Sequence, residues 1–472
     1  MIVRQLQHSL TSAPLTTSGA KTVGFKCPQH SLIALGAVLA GVLSSIGCSS
    51  SSTSPSATEG PESSPSTTVT ELASDDVSTT SLDPTTTTNE VTTTTVAVDG
   101  IEGRLTAVID DFLASAQAPG VTMTVLRPAA DGTDTIEAIN LARGVRNITI
   151  GDELSTSDYF RWASITKPMT SIVVLQLVEE GLIDLEATVS TYLGSGWASG
   201  YELDGVDYGD AITIRQILDH TDGFAEFAFD FGFYVLASTR LDTPFEPKEV
   251  IDWAVEQGPL YEPGTAYEYN TVGFIVAGLV IEKVTGNPAH IELRNRLFDR
   301  ADAKEIYLPP EESPPEQTID GYVQGDLKLA LSFVPGFAVY TAEATVGAFY
   351  DISVIPQGVL RSVGWTGGGI EARAEDLARV FRHQFTGALS NEMLTAFTTP
   401  SEFSDYGLGI NVGEVDGYTV YSHGGGTPGF RSHAMYLPEL DVTIAVSANL
   451  IPIEPDIGTL ASEIAAVIID NS

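Results

Sequence analysis

The segment Ser164-Ile165-Thr166-Lys167 runs directly into PMTSIVVLQLV at 168–178. The second part is apolar on nearly every side, which is typical of a helix that is buried all round. Because Pro168 is tolerated only within the first turn, the pattern places Ser164 at the helix N-terminus. Lys167 follows three residues later and shares the same face. The segment therefore predicts a buried central helix that begins with a serine and a lysine side by side.

A serine and a lysine in this arrangement can carry out nucleophilic chemistry. A serine hydroxyl is a weak nucleophile until a neighbouring base takes its proton, and an amine in a dry site holds its own proton less tightly. Free N–H groups at a helix N-terminus also favour developing negative charge. An ordinary N-cap serine is the alternative, since Ser18-Gly19-Ala20-Lys21 fits the same short pattern.

Two later segments carry side chains that can join such a site. Tyr269 lies in a loop ahead of a helix predicted at Ile275–Thr285, where a tyrosine either shuttles protons or packs with one hydrogen bond. His423 precedes Gly424-Gly425-Gly426, and consecutive glycines let another backbone or a substrate approach closely. The glycine run lacks the strand–GxxxxGK–helix context of a phosphate loop, so that chemistry is excluded.

The chain after residue 100 is predicted to be α/β, of the α+β kind. Periodicity predicts elements at both of its ends: helices at Ile101–Ala116 and Ile457–Ile469, and strands at Gly120–Leu126, Thr135–Ala142, His433–Tyr436 and Val442–Ser447. Short turns join neighbouring strands, which favours antiparallel pairing. The pattern predicts one sheet built from both termini and flanked by helices, with a mainly helical subdomain inserted between them.

The start of the chain is predicted to be an export signal. An uncharged apolar run at Leu32–Ile46 has the length of a signal-peptide core and is short for a transmembrane helix. It ends at Gly47-Cys48, which resembles a bacterial lipoprotein cleavage site with Cys48 as the lipidated residue. Because Ser45 stands where that motif prefers an aliphatic side chain, simple secretion and an uncleaved anchor remain alternatives.

Composition divides the chain into a signal peptide at 1–48, an acidic Ser/Thr/Pro-rich tether at 49–100 and a folded domain at 101–472. The tether has too little apolar surface to offset the entropy of ordering, so it is predicted to be disordered. Cys27 and Cys48 are the only cysteines, which leaves the folded domain without a disulfide or a thiol nucleophile. The net charge of −39 argues against nucleic acid as a partner and suits a solvated extracellular protein.

Taken together and in this order, the motifs resemble those of the penicillin-binding and serine β-lactamase superfamily. The similarity is greatest to the branch of D-alanyl-D-alanine carboxypeptidases, class C β-lactamases and related esterases. Four further matches occur in the same order: ILDHTDG at 217–223, GFIVAG at 273–278, GGG at 367–369 and YGLG at 406–409. The resemblance covers about residues 105 to 470 and implies the β-lactamase/transpeptidase fold.

The resemblance also implies catalytic roles. Ser164 would attack a carbonyl carbon and form an acyl-enzyme, and Lys167 and Tyr269 would share the proton transfers. His423 would stand in for the family's strand lysine or histidine, which orients the tyrosine and the substrate. No metal and no organic cofactor is implied.

The resemblance further implies that the glycine triplet and Thr271, two residues after Tyr269, bind the substrate. The backbone N–H groups of Ser164 and Gly426 would form the oxyanion hole, with Gly424 and Gly425 completing the triplet beside the substrate. The family usually has Asn where this chain has Thr271, and that Asn helps bind an amide of a peptide or β-lactam. Thr271 keeps a hydroxyl but loses the amide, which weakens the case for a peptidase or lactamase.

The leading hypothesis is an extracytoplasmic serine hydrolase, D-alanyl-D-alanine carboxypeptidase-like, that cleaves an amide or ester in a small molecule or a peptidoglycan peptide. The alternatives are an esterase or β-lactamase of the same family and a non-catalytic, surface-anchored binding lipoprotein. The location is expected to be secreted or on the surface of a bacterium, with membrane contact only through a lipid anchor or the signal segment. The sequence does not fix the oligomeric state, nor whether FAEFAFDFGF at 224–233 lines the cleft or packs in the core.

Overall fold

The computed structural model describes residues 100–129, 133 and 135–471. The predicted signal peptide at 1–48, with Cys48, and nearly all of the predicted tether at 49–100 lie outside these residues. The helices are α1 Ile101–Ala116, α2 Thr166–Glu179, α3 Val189–Leu193, α4 Ile214–Leu218, α5 Phe231–Ser238, α6 Pro247–Gln257, α7 Val272–Thr285, α8 Ala289–Leu293, α9 Gly325–Phe333, α10 Pro335–Ala338, α11 Thr341–Ala344, α12 Gly358–Ser362, α13 Trp365–Gly368, α14 Ala374–Thr386, α15 Asn391–Thr398 and α16 Ile457–Ile469.

The strands are β1 Gly120–Pro128, β2 Ile136–Asn147, β3 Asp152–Glu153, β4 Phe160–Arg161, β5 Glu202–Leu203, β6 Val206–Asp207, β7 Ile306–Tyr307, β8 Tyr322–Val323, β9 Thr345–Val346, β10 Phe349–Asp351, β11 Glu371–Ala372, β12 Asn411–Val415, β13 Tyr418–Thr427, β14 Phe430–Leu437, β15 Val442–Ala448 and β16 Leu450–Ile451. Single turns of 3-10 helix occur at Ala163–Ile165, Phe227–Phe229 and Ile352–Val354, and one π-helical turn occurs at Arg294–Phe298.

The central sheet has seven strands in the order β12-β13-β14-β15-β1-β2-β3. Each neighbouring pair is antiparallel. β1, from the start of the folded domain, pairs with β15, from its end, so that Val121 lies opposite Ala448 and Leu126 opposite Thr443. The predicted antiparallel sheet built from both termini is confirmed.

Helices cover both faces of this sheet. On one face α1 and α16 bury Leu105, Ile109 and Ile464 against the apolar side chains of β1 and β15. On the other face α2, α7 and α14, which all belong to the region inserted between β3 and β12, form a larger core with the rest of that region. Every residue of α2 from Thr166 to Leu175 is buried, as expected for a helix that is apolar nearly all round.

Each predicted strand is extended in the structure at one or both ends, and the largest differences are in β2, β14, which begins at Phe430 rather than His433, and α7. β2 continues to Asn147 because its backbone follows β1 as far as Gly144 opposite Gly120, and then bulges to meet β3. α7 begins at Val272, three residues before the predicted start. The side-chain oxygen of Asn270 accepts a hydrogen bond from Gly273 N at 2.8 Å, which satisfies one of the free donors of the first turn.

Among the described residues, no single helix is long and apolar enough to cross a membrane. One pair bent by 83°, Val272–Thr285 with Ala289–Phe298, meets the length and composition requirement jointly.

Candidate active site

Ser164 lies in the tight turn between β4 and α2. Ala163 has φ 48°, in the left-handed region that a residue with a Cβ rarely adopts, and such strain is found most often at functional sites. Ala163 and Ile165 are buried, whereas Ser164 remains partly exposed. The strained turn therefore presents the serine hydroxyl to the neighbouring cavity while the residues on either side stay in the core.

The ammonium group of Lys167 connects three segments of the chain. It is fully buried, at 0% exposure, and it donates to Ser164 Oγ at 3.0 Å, Thr271 Oγ1 at 3.1 Å and Gly367 O at 2.8 Å. These contacts supply an acceptor for each of its three N–H groups, which a buried cation requires. The predicted pairing of Ser164 with Lys167 is thus a direct contact in the structure.

The loop before α7 brings Tyr269 and Thr271 to the same place. The ring centroid of Tyr269 lies 4.7 Å from Lys167 Nζ, and both Tyr269 and Thr271 line the cavity that Ser164 faces. Asn270 points the other way, where its amide donates to Asp222 Oδ1 at 2.9 Å. Asn270 therefore does not supply the amide that the family places at residue 271.

His423 is buried on β13 and is held by Tyr406. Its Nδ1 lies 2.6 Å from the carbonyl oxygen of Gly424, and its Nε2 lies 2.9 Å from the hydroxyl of Tyr406. Since a carbonyl can only accept, Nδ1 carries the proton and the neutral ring accepts from Tyr406. Burial, with the nearby charge of Lys167, lowers the pKa of His423 to about 3. The rings of His423 and Tyr269 are 6.2 Å apart, and the orienting role of His423 remains a prediction.

The glycine triplet lets β13 lie directly against the nucleophile turn. A Cβ added to Gly425 would stand 2.2 Å from Trp162 O and 2.3 Å from Ser432 Oγ, whereas one added to Gly424 would meet nothing nearer than 3.8 Å. Gly424 and Gly426 line the cavity beside Ser164. Ser164 and Gly426, the predicted oxyanion-hole residues, therefore line the same cavity. Their role in binding an oxyanion stays a prediction.

The cavity has a volume of about 500 Å³ and a largely apolar far wall. Side chains that form this wall come from the 3-10 turn and the helices of the inserted region: Phe227, Phe233, Ala237, Phe337 and Val359. The aromatic stretch at 224–233 therefore both lines the cavity and packs in the core, the two alternatives that its sequence left open. Phe227 and Phe233 line the cavity, whereas Phe224 packs on Tyr201 at a ring distance of 4.8 Å in the core.

A buried polar cluster supports the loop that carries Tyr269. The ring of His220 lies 4.5 Å from that of Tyr269, and its Nδ1 accepts the N–H of Asn270 at 3.4 Å. Asp222 Oδ1 accepts from Phe224 N and from the Asn270 amide, while its Oδ2 has no hydrogen-bond partner among the described residues. Burial raises the pKa of Asp222 to about 8 and lowers that of His220 well below its usual range, so both groups are uncharged at neutral pH.

Sequence reasoning assigned no role to Glu226, Tyr406 or the carbonyl of Gly367. Tyr406 and Gly367 lie in segments that match the family, but a backbone acceptor leaves no mark of its own in a sequence. Glu226 is the one acidic residue before Asp230 in the stretch FAEFAFDFGF. An acid among aromatic residues is a signal of a functional carboxyl group, and Glu226 is half-buried and lines the cavity with Ser164.

The fold and the site together define a class of protein: an antiparallel sheet flanked by helices, with a serine–lysine pair at the start of its central helix. The family described as Beta-lactamase matches residues 105–466. The chain belongs to this family of serine hydrolases, and the resemblance noted in the sequence is confirmed.

Individual relatives are similar to the chain at modest identity. Penicillin-binding protein 4 of Amycolatopsis lactamdurans is 24% identical over 315 residues, which cover 66% of this chain and 77% of that protein. Esterase EstB of Burkholderia gladioli is 24% identical over 317 residues, which cover 63% and 72%. A solved structure of a D-stereospecific amidohydrolase from Streptomyces sp. is similar with a TM-score of 0.62 and 26% identity, covering 77% of this chain and 97% of that one.

The two neighbouring glycines of β13 give a matched test of the close approach to the nucleophile turn. Gly425→Ala is expected to lower the free energy of unfolding by about 1–3 kcal/mol, because the added methyl group overpacks against the backbone of Trp162. Gly424→Ala, with room for the methyl group, is expected to change it by less than about 0.5 kcal/mol. Urea unfolding of both variants measures the difference, and equal stabilities would contradict the packing described for Gly425.

The raised pKa of Asp222 predicts a pH-dependent loss of stability. The unfolded carboxyl titrates near pH 3.9, so between that pH and about 8 the folded state holds a proton that the unfolded state has released. The stability of the folded protein therefore falls as pH rises through this window. Asp222→Asn removes the titration, and its melting temperature relative to wild type is expected to increase from pH 5 to pH 8. Asp111→Asn, at an exposed position on α1, is the control and should give a constant difference.

Proposed function

We propose that the chain is an exported serine hydrolase that cleaves an amide or ester bond through an acyl-enzyme on Ser164. The observation that carries this proposal is the 3.0 Å contact between Lys167 Nζ and Ser164 Oγ at the edge of a 500 Å³ cavity. A base within hydrogen-bond reach of a serine hydroxyl is the basic requirement for activating it.

The surroundings of Lys167 suit a group that alternates between two protonation states. Thr271 Oγ1 and Gly367 O accept two of its hydrogens, and the third direction points at Ser164 Oγ. A neutral amine in the same position keeps both of these donated bonds and directs its lone pair at the serine hydroxyl. Proton transfer from Ser164 to Lys167 therefore needs no rearrangement of the site, which keeps its energetic cost low.

The proposed reaction has two halves. Ser164 Oγ bonds to the carbonyl carbon as its proton passes to Lys167, and the negative oxygen of the intermediate is stabilised by the N–H groups of Ser164 and Gly426. The C–N or C–O bond then breaks, and a proton is delivered to the leaving amine or alcohol through Lys167 or Tyr269. Water attacks the acyl–Oγ ester in the second half, which releases a carboxylic acid and restores the serine.

D-alanyl-D-alanine carboxypeptidase activity, which the family resemblance implies, is the second candidate. A carboxypeptidase must bind the terminal carboxylate of its substrate, and Arg431 is a guanidinium in the cavity wall. Its Nε, however, donates to Asp456 at 3.0 Å. The missing amide at Thr271 and the broad apolar wall support substrates with a bulky apolar group. The relatives include an esterase and an amidohydrolase, which act on the two kinds of bond proposed here.

The location outside the cytoplasm is part of the proposal. It is supported by the apolar run at Leu32–Ile46, the cysteine at 48 and the acidic, low-complexity segment that follows. These features favour a folded domain held at the cell surface by a lipid on Cys48.

Covalent labelling tests the proposed nucleophile. A fluorophosphonate probe is expected to label the wild-type protein at Ser164 and to leave Ser164→Ala unlabelled, with the site identified by mass spectrometry of the peptide. Ser171→Ala is the matched control, because this serine lies on α2, directly after the nucleophile turn, but is fully buried, and it should retain labelling.

The labelling result also separates an enzyme from a binding protein of the same fold. A folded wild-type protein that takes no label, or Ser164→Ala protein that still does, would overturn the proposed function. Circular dichroism on the same samples shows whether each variant is folded.

A direct comparison of substrates separates the two candidate activities. We expect kcat/KM for p-nitrophenyl butyrate to exceed that for a peptide ending in D-Ala-D-Ala, because the apolar wall offers more contact to the acyl chain than to a methyl side chain. Rates of nitrophenol and D-alanine release measure the two reactions. A clear preference for the peptide would instead establish the carboxypeptidase.

A further inference from the structure

A second, smaller cavity lies beside β4, the strand that leads into the nucleophile turn. It has a volume of about 210 Å³, and none of its described lining residues belongs to the cavity that Ser164 faces. Two guanidinium groups, those of Arg161 and Arg361, line it. The proposed acyl transfer uses neither group.

The two guanidinium groups share one buried carboxylate. Glu371, at 1% exposure, accepts from Arg361 Nε at 2.9 Å and Nη2 at 2.7 Å in a bidentate pair, and from Thr318 Oγ1 at 2.9 Å. Arg161 lies opposite Glu371 where β4 pairs with β11, but its Nε is 3.4 Å from Glu371 Oε1. Glu371 therefore compensates the charge of Arg361 well and that of Arg161 poorly.

Arg161 is left with a buried charge that is incompletely paired. The residue is 9% exposed. Its Nη2 donates to Gln357 Oε1 at 2.5 Å, whereas Nε and Nη1 have no hydrogen-bond partner among the described residues. Burial lowers the pKa of Arg161, Glu371 raises it and Arg361 lowers it further, but a guanidinium keeps its proton at neutral pH. A buried cation of this kind is costly unless an anion joins it.

The charges around this pocket favour an anion with a single charge. Arg161 and Arg361 against Glu371 leave one positive charge. Glu316 is the one acidic residue among the described residues that line the pocket, and it is exposed, so that solvent screens its charge. A carboxylate neutralises the remaining charge, and its two oxygens match the planar fork of a guanidinium. A doubly charged anion would instead leave a negative charge close to Glu371.

The pocket also borders elements that shape the active-site cavity. Arg161 precedes Ser164 by three residues, and Arg361 lies on α12. Val359 and Leu360 of the same helix line the cavity that Ser164 faces. A ligand that contacts both guanidinium groups therefore ties the strand before the nucleophile turn to a helix of the cavity wall.

We infer that this pocket is a binding site for a small carboxylate, held by Arg161 and Arg361 and separate from the site of acyl transfer. The inference goes beyond the proposed function and does not depend on it. The ligand supplies the anion that the buried guanidinium of Arg161 lacks, and it stabilises the folded protein because it binds only where β4 and α12 are in place.

Acetate is the probe for this site. We expect it to bind the wild-type protein with a Kd of about 1–10 mM, and 100 mM sodium acetate at pH 7 to raise the melting temperature by about 1–4 °C more than 100 mM sodium chloride does. Isothermal titration calorimetry measures the affinity, and differential scanning calorimetry measures the shift. Equal melting temperatures in the two salts would overturn the inference.

The location of the bound acetate is tested with a variant that removes the charge. Arg161→Met keeps an apolar stem of similar length and should lose the difference between acetate and chloride. Arg104→Met is the matched control, because Arg104 pairs with Asp470 at an exposed position, and it should keep the difference. An Arg161→Met protein that responds to acetate like the wild type would place the bound acetate elsewhere and overturn the inference.

A second variant tests the pocket without removing a buried group. Gln317 is exposed and lines the pocket, so Gln317→Glu should fold and repel acetate, which raises its Kd about 3-fold or more. Gln257→Glu, at an exposed position on α6, is the matched control and should leave the Kd unchanged. The same Kd in wild type and Gln317→Glu would contradict the inference even if Arg161→Met fails to fold.

Discussion

The buried ammonium group of Lys167 is the constraint around which the site is organised. A cation with no exposed surface is tolerated only when every N–H has an acceptor, and here the acceptors come from the nucleophile turn before α2, the loop before α7 and α13. Those three segments lie about 100 and 200 residues apart in the chain. The requirement to satisfy Lys167 therefore links the nucleophile turn, the tyrosine loop and the glycine-rich segment at Gly367 into one structure.

The contacts of Lys167 are possible because neighbouring backbone segments approach each other closely at glycine residues. A Cβ at Gly367 would stand 2.7 Å from the methyl group of Thr271 and 2.8 Å from its carbonyl oxygen, so only glycine lets the 367 carbonyl reach Lys167 while α13 packs on α7. Gly425 serves the same purpose on the other side, where β13 touches the backbone of Trp162. The edge of the sheet and the inserted helices thereby approach Ser164 from two directions and leave the cavity between them.

Much of this arrangement follows from sequence patterns, and the remainder depends on contacts between distant residues. α1 and α16 have the predicted bounds because their apolar periodicity begins and ends with the helices, and the buried run after Lys167 could only be a core helix. The N-cap of α7 is Thr271, which makes no side-chain cap, and the first turn is instead held by the side chain of the preceding Asn270. Such an unusual helix start within an active-site loop is hard to recognise from sequence. The bond from Tyr406 to His423 and that from Thr271 to Glu226 join segments whose local patterns carry no sign of each other.

The replacement of the family's asparagine by Thr271 is best understood as an exchange rather than a loss. Sequence alone shows only that an amide has gone, while the structure shows that a carboxylate now occupies the adjoining part of the cavity. When ionised, this carboxyl opposes the oxyanion that forms when Ser164 attacks, because like charges in a low-dielectric site repel strongly. Burial raises the pKa of Glu226 and so favours the neutral form, which avoids that repulsion.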